Sequence, residues 1–318
     1  MSNATRDVWR KRASDMASDG LRVLAVAACQ IQDPELTLSD SVPLALVGLV
    51  GFRDPPRAGV RDAVRQCREA GLRIVLVTGD HVATACAIAE QVDLAPHPLQ
   101  AMDGQEFEDH VAKDIGNQSI LDTDVFARVT PEHKLQLVKA YQARGDIVAM
   151  TGDGVNDAPA LKRADIGVAM GQRGTDVARQ ASDMVLLDDA FPTIVTAVKN
   201  GRIIFENIRR FVVYLLSCNL SEVLVIALAI LFGLPLALLP LQILFLNLVT
   251  DVFPAFALAT GRGEDNVLKR SPRPVDEQIV GASQWSLIVF NGLVITAVTL
   301  VSLIVALRGL GLDGTEAT

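Results

Sequence analysis

The chain reads as an α/β domain, a parallel sheet covered by helices, followed by a helical part that crosses a membrane three times. Three observations predict this. Short runs rich in Val, Ile and Leu alternate with helical patterns over residues 21–189, as strands joined by crossover helices do. Three long apolar stretches, 211–232, 234–260 and 285–307, then follow one another, each offering the roughly 20 residues that a membrane helix needs. A buried core helix could account for one such stretch, but not for three in succession. The hydrophobic share of 50% and mean hydropathy of +0.33 are high for a wholly soluble chain of 318 residues, and the excess sits in those stretches.

Taken in order, the N-terminal segment carries Arg6, Arg10, Lys11 and Arg12, and no apolar run follows, so no cleaved leader is expected. Strands are expected at 22–28, 44–52, 73–78, 147–151, 166–170 and 184–187. Residues 60–70 place Val60, Ala63, Val64 and Cys67 on one helical face, with Gly71 as the stop. Residues 82–92 form a second helix. A third opens at Thr130, a good N-cap, with Pro131 suited to the first helical position; Leu135 and Val138 supply its apolar side before Gly145. In the apolar stretches the link 233–240 lacks Lys and Arg, whereas the next link carries Arg262, Lys269, Arg270 and Arg273. The positive-inside rule puts the second link, and with it the α/β domain, in the cytoplasm.

Composition excludes several functions. With 29 basic against 37 acidic residues the net charge is -8, which argues against a nucleic-acid partner, since phosphate neutralisation needs clustered Lys and Arg. The apolar content excludes a disordered chain. Cys29, Cys67, Cys86 and Cys218 form no C-x-x-C pair, so neither a zinc site nor a redox motif is signalled.

Two strand ends carry matching chemistry, Thr78-Gly79-Asp80 and Thr151-Gly152-Asp153. A small hydroxyl, a glycine that lets the backbone approach and a carboxylate suit a phosphate with a metal, and backbone N–H groups at following helix starts favour an anion. Such a carboxylate would hold magnesium, which takes one or two acidic oxygens beside water and phosphate. One such turn can be a simple strand exit; two in register point to a site. Lys134 falls in the first turn of the Thr130 helix, where an ammonium faces the positive end of the helix dipole and is unfavourable unless an anion is near.

The apolar stretches contain their own polar residues. Asn219 and Glu222 share a helix face, and Asn247, Thr250 and Asp251 share another. Ionisable groups in a bilayer are costly and mark functional interiors, and five oxygen donors without a Cys, His or Met cluster suit a hard cation. Pro254 is expected to loosen the helix beside Asp251 and free carbonyl ligands. Asn291, by contrast, reads as a residue that knits helices together.

These residues carry a resemblance. The run TGDGVNDAPALKRADIGVAMG, with LVTGD, GFRDPPR and FARVTPEHK upstream, resembles the P-type cation-transporting ATPases, whose phosphorylation domain is Rossmann-like and of the haloacid dehalogenase type. SCNLSEV and LNLVTDVFPA resemble the fifth and sixth spans of the calcium-transporting subgroup. The resemblance implies a pump that passes the γ-phosphate of ATP to an aspartate and hydrolyses the aspartyl phosphate while changing conformation. It implies Asp153 as the magnesium ligand with Asn156 and Asp157 beside it, Thr78 and Gly79 as hydrogen-bonding partners of the phosphoryl group, and Lys134 as its neutralising charge. Arg22, Asp54, Asp80 and Arg128 match positions that assist nucleotide binding. Asn219, Glu222, Asn247, Thr250 and Asp251 match ion-binding positions, with Ca2+ as the expected ion and manganese, sodium or protons as alternatives.

The resemblance further implies a tail of the nucleotide-binding domain over 1–40, a partial phosphorylation domain over 41–200 and a membrane domain over 201–318, with spans near 205–232, 237–260 and 285–307. Membrane lipid is an implied partner, in the cell or plasma membrane. The family's nucleophile lies in an Asp-Lys-Thr-Gly-Thr segment, and these 318 residues contain none. The nucleotide lobe, the actuator domain and the remaining spans are likewise without a counterpart. The chain therefore reads as a piece of a pump that cannot phosphorylate itself, needing the missing N-terminal half as partner. The other readings are a remnant that binds only nucleotide or ions, and a membrane-anchored phosphatase, which would need the same absent nucleophile.

Overall fold

The computed structural model describes residues 3–29, 44–52, 55–114, 117–264 and 266–309. Its contacts divide the chain into two units, Met1–Thr196 and Ala197–Thr318.

The first unit opens with helix α1 (Asn3–Ser18) and an antiparallel pair, β1 (Arg22–Ala28) and β2 (Ala45–Phe52), in register from Arg22 opposite Phe52 to Ala28 opposite Ala45. Then come α2 (Val60–Glu69), β3 (Leu76–Val77), α3 (Val82–Gln91), β4 (Ala101–Asp103), α4 (Gly104–Lys113), α5 (Gln118–Asp122), β5 (Val125–Ala127) and α6 (Pro131–Ala143). The unit continues with β6 (Ala149–Gly152), a 3-10 turn at Val155–Asp157, α7 (Ala158–Arg163), β7 (Ile166–Met170), α8 (Asp176–Ala181) and β8 (Met184–Leu186). Two parallel sheets result, in the orders β3-β5-β4 and β6-β7-β8.

The α/β class is the one expected, with finer detail than the alternation showed. The strand expected over 73–78 is paired only at Leu76–Val77, and β4 and β5 were not anticipated. Strand β5 nevertheless organises the domain. Val125, Phe126 and Ala127 are each wholly buried. Val125 and Ala127 pack with Val64, Ala85, Ala89 and Leu94 on one face, while Phe126 packs with Phe107, Ile120, Leu137 and Ala140 on the other. A strand covered on both faces loses the apolar–polar alternation that marks a half-exposed one.

The helices obey their local signals. Thr130 caps α6, and its hydroxyl accepts from the His133 N–H. Beyond α6, Gly145 takes φ +93°, a left-handed conformation that lets its own N–H and that of Asp146 return to the carbonyls of Gln142 and Tyr141. Asp189, buried and also left-handed at φ +51°, accepts the N–H groups of Gln172 and Arg173, 2.9 Å each, and so holds the loop 171–174. Thr175, next along, donates its N–H to the carbonyl of Asp153 at 2.9 Å.

Helix α9 (Pro192–Leu231) runs through the division between the units and begins well before the span expected near residue 205. In the second unit it is joined by α10 (Pro240–Phe245), a π-helical turn at Leu246–Thr250 and α11 (Val252–Ala259), which together make one rod, and by α12 (Ala282–Gly309). Among the described residues, three helices are long and apolar enough to cross a membrane.

The charged link after α11 is fastened to one end of α9. Asn207 donates to the carbonyls of Ala259 and Gly261, Arg202 to those of Val267 and Arg270, and Arg209 to Glu277 at 2.6 Å. Arg270 pairs with Glu206 and Glu264, and Arg273 lies 3.2 Å over the ring of Phe205.

Candidate functional site

Both Thr-Gly-Asp turns sit at carboxyl ends of parallel strands, the place where ligands of such sheets bind. In the first, Thr78 Oγ1 donates to Asp80 Oδ2 at 3.2 Å and accepts the N–H of Asp80 at 3.1 Å, a closed turn with its polar atoms outward. The segment entering α6 is stitched to it: the Arg128 N–H donates to the Asp80 carbonyl at 3.0 Å and the Val129 N–H to the Thr78 carbonyl at 3.2 Å. Arg128 is left-handed at φ +52°, so the chain turns sharply there before the helix begins.

From the first turn of α6, Lys134 Nζ donates to Asp157 Oδ1 at 2.6 Å. The second oxygen of Asp157 accepts the N–H groups of Asp153, at 3.2 Å, and Gly154, at 3.1 Å. The ammonium that the helix dipole disfavours thus meets a carboxylate: Val129 is bonded to Thr78, its chain neighbour Thr130 accepts the Lys134 N–H, and Lys134 leads through Asp157 to Asp153. Gly152 is required at this point. A Cβ there would lie 2.5 Å from Cβ of Asp157, closer than carbon atoms approach. At Gly79 a Cβ would meet nothing within 4 Å, so the space over the first turn is open.

The two carboxylates differ in what they have left to offer. Both oxygens of Asp157 are engaged, whereas the exposed side chain of Asp153 has no partner among the described residues. A free hard-oxygen donor at this strand end fits magnesium, which keeps water and phosphate oxygens in its shell. Asn156 is exposed in the 3-10 turn. Arg22 projects from β1 opposite Phe52, and no hydrogen bond ties it to the turns. Asp54 lies outside the described residues.

In the second unit, Asn247 Nδ2 donates to Glu222 Oε2 at 3.2 Å, and the Tyr214 hydroxyl donates to Asp251 Oδ1 at 3.3 Å. Each acidic group is therefore met from the neighbouring rod, and Asp251 is buried. Asn219 and Thr250 are exposed, with no side-chain partner among the described residues. The polar cluster coincides with the π-turn, where the Asp251 N–H reaches back five residues to Leu246 at 2.9 Å. Pro254 has no N–H to offer Thr250, the residue that ends this turn, so the loosening expected of it lies upstream of the proline. A cavity of about 330 Å³ runs between α9 and α12, lined by Tyr214, Cys218 and Asn291 among others. Among the described residues no three His, Cys, Asp or Glu side chains converge as a metal cluster.

Sequence reasoning missed Tyr214, Thr175 and His133. Tyr214 stands four and eight residues before Cys218 and Glu222, a helical spacing that could have revealed it.

The comparisons agree with this architecture. Residues 5–165 match the family described as haloacid dehalogenase-like hydrolase, and residues 235–318 match the cation transporting ATPase C-terminus. A calcium-transporting ATPase of Bacillus subtilis is 49% identical over 91% of this chain and 33% of its own length. Calcium-transporting ATPase 1 of Bacillus cereus is 44% identical over 96% of the chain and 34% of its length. A P-type sodium-transporting ATPase of Toxoplasma gondii is 47% identical over 76% of the chain and 19% of its length. The chain belongs to the haloacid dehalogenase-like hydrolase family and, within it, to the P-type cation-transporting ATPases. It spans about a third of the length of the two bacterial relatives.

Proposed function

We propose that this chain is part of an ATP-driven calcium pump of the cell membrane, working through magnesium-dependent aspartyl-phosphate chemistry. The observation that carries the reading is the Lys134–Asp157 pair, which joins the two glycine turns in one polar network. Phosphoryl transfer asks for positioning and charge neutralisation more than for covalent chemistry from the surroundings. Lys134 supplies positive charge, Thr78 and Gly79 meet the phosphoryl oxygens, and Asp157 orients Lys134 and the loop that carries Asp153. Asp153, with Asn156 beside it, would hold a magnesium ion, which would add further neutralisation of those oxygens. Asp54, Asp80, Arg128 and Arg22 assist the nucleotide. In domain terms, 1–40 closes a nucleotide lobe, 41–200 forms the phosphorylation domain and 201–318 lies in the membrane.

The nucleophile comes from a part of the longer protein outside these 318 residues. Strands β3 and β6 are each paired on one side only among the described residues, and each ends at one of the two turns. A further parallel strand joining both edges would deliver an aspartate to the same end. In the membrane, Glu222, Asp251, Asn247, Thr250 and Asn219 contribute oxygen ligands to calcium, and the α/β domain faces the cytoplasm.

The test is phosphorylation from radioactive ATP. The full-length protein should form an acid-stable phosphoenzyme that depends on calcium, and Lys134→Met should slow its formation roughly 100-fold. Glu222→Gln and Asp251→Asn should each abolish this calcium-dependent phosphorylation, and the 318-residue chain alone should take up no label. Phosphorylation that requires sodium instead, as the Toxoplasma relative's name would suggest, overturns the calcium assignment.

A further inference from the structure

We propose that His133 is a positioning residue for Lys134, acting through the first turn of α6. The inference rests on the reading of Lys134 given above. A capping box ordinarily places Glu or Gln three residues after the Ser or Thr cap. Here an imidazole stands in that position: Nδ1 of His133 accepts the Thr130 N–H at 3.3 Å, and the Thr130 hydroxyl accepts the His133 N–H at 3.4 Å. Nε2 faces Glu108 Oε1 at 2.8 Å. An acceptor at Nδ1 has no proton, so this bonding pattern assigns the ring as the Nε2–H tautomer, donating to Glu108.

The ring is 6% exposed and tilts against Phe107 at 5.3 Å between centroids. Gly104 leaves room for it, since a Cβ there would lie 3.2 Å from the ring and 2.5 Å from the carbonyl of Arg128. Both nitrogens are engaged, and neither faces the glycine turns.

The physical need for such a clamp comes from Lys134 itself. An ammonium in a first helical turn opposes the helix dipole, so that turn is prone to fray just where Nζ must be held against Asp157. The Lys134 N–H closes the turn on the Thr130 carbonyl at 3.2 Å. The residues before the cap, Arg128 and Val129, are bonded to the Thr78–Asp80 turn. Through one imidazole, then, the cap, the lysine and the first glycine turn are held in a single register.

The experiment uses the 318-residue chain, labelled with nitrogen-15 in detergent micelles, and reads the imidazole nitrogens of His133 and the ammonium protons of Lys134 by magnetic resonance. The wild-type ring should show a protonated Nε2 and an unprotonated Nδ1. His133→Leu should speed exchange of the Lys134 ammonium protons about fivefold, the scale of a lost cap. His133→Gln, which restores an acceptor for Thr130 and a donor for Glu108, should return exchange to the wild-type rate. An Nδ1–H tautomer would overturn the proposal, and it is read on the unaltered protein, so a variant that fails to fold leaves the test intact. Unchanged Lys134 exchange in His133→Leu, with only a lower melting temperature, would reduce His133 to an ordinary cap and overturn it as well. None of these readouts involves turnover, so the positioning role and the pump reading fail separately: Lys134→Met without effect on phosphorylation would sink the latter and leave these results standing.

Discussion

Gly152 shows how tightly the site is specified by single atoms. Its missing side chain leaves the space in which Asp157 folds back to accept two backbone N–H groups and the Lys134 ammonium. Gly152→Ala should push that carboxylate outward and cost about 1–3 kcal/mol by overpacking. The measurement is urea unfolding of the 318-residue chain, and stability equal to wild type would show that the loop relaxes freely. The same change at Gly79, where nothing lies within 4 Å, should leave stability nearly untouched. In the sequence the two glycines look equivalent. Which of them is filled by a neighbour depends on residue 157 curling back, a feature of three-dimensional packing rather than of spacing.

The elements carry their own electrostatics. The loop 171–174 is gathered around the Asp189 carboxylate, whose acidity is raised chiefly by the Gln172 N–H and further by those of Arg173 and Gly171. A carboxyl held below its usual range in the folded chain stabilises the fold above the ordinary aspartate range, and that stabilisation disappears as the pH falls through the lowered value. Asp189→Asn should therefore be less stable than wild type near pH 7, and the difference should shrink as the pH falls below the ordinary aspartate range. A gap of equal size at both ends, measured by denaturant unfolding, would contradict this. Element boundaries were legible where local chemistry sets them: Thr130 and Pro131 open α6, and Gly145 lies just past its end. Strands β4 and β5 were not: β5 is three buried residues without alternation, and β4, where only Met102 is buried, is too short to carry a periodic signal. The π-turn was foreshadowed only by Pro254, and its position follows from which carbonyl the proline leaves without a donor.

For the molecule as a whole, the prediction concerns orientation. The link after α11 is rich in Arg and Lys and is fastened to the Arg202–Arg210 stretch of α9, whereas the link between α9 and α10 carries no basic residue. In the proposed topology, with the native cysteines replaced, a membrane-impermeant maleimide should label Leu236→Cys on right-side-out vesicles and spare Ser271→Cys until the vesicles are opened. The reverse pattern would invert the topology.

Composition and order along the chain were enough to establish an α/β domain followed by three membrane-length helices, because apolar periodicity and apolar length are properties of contiguous residues. The motif residues were readable too, since Thr-Gly-Asp repeats at strand ends in any register. Their partnerships were not. Lys134 with Asp157 spans 23 positions, Asn247 with Glu222 spans 25 and Tyr214 with Asp251 spans 37. Such pairs form only when separate elements are packed side by side, and a bond between distant positions leaves no trace in local spacing. That is why the turns could be picked out from the residues alone, while the lysine that links them, and the histidine that holds it, took their roles from the folded domain.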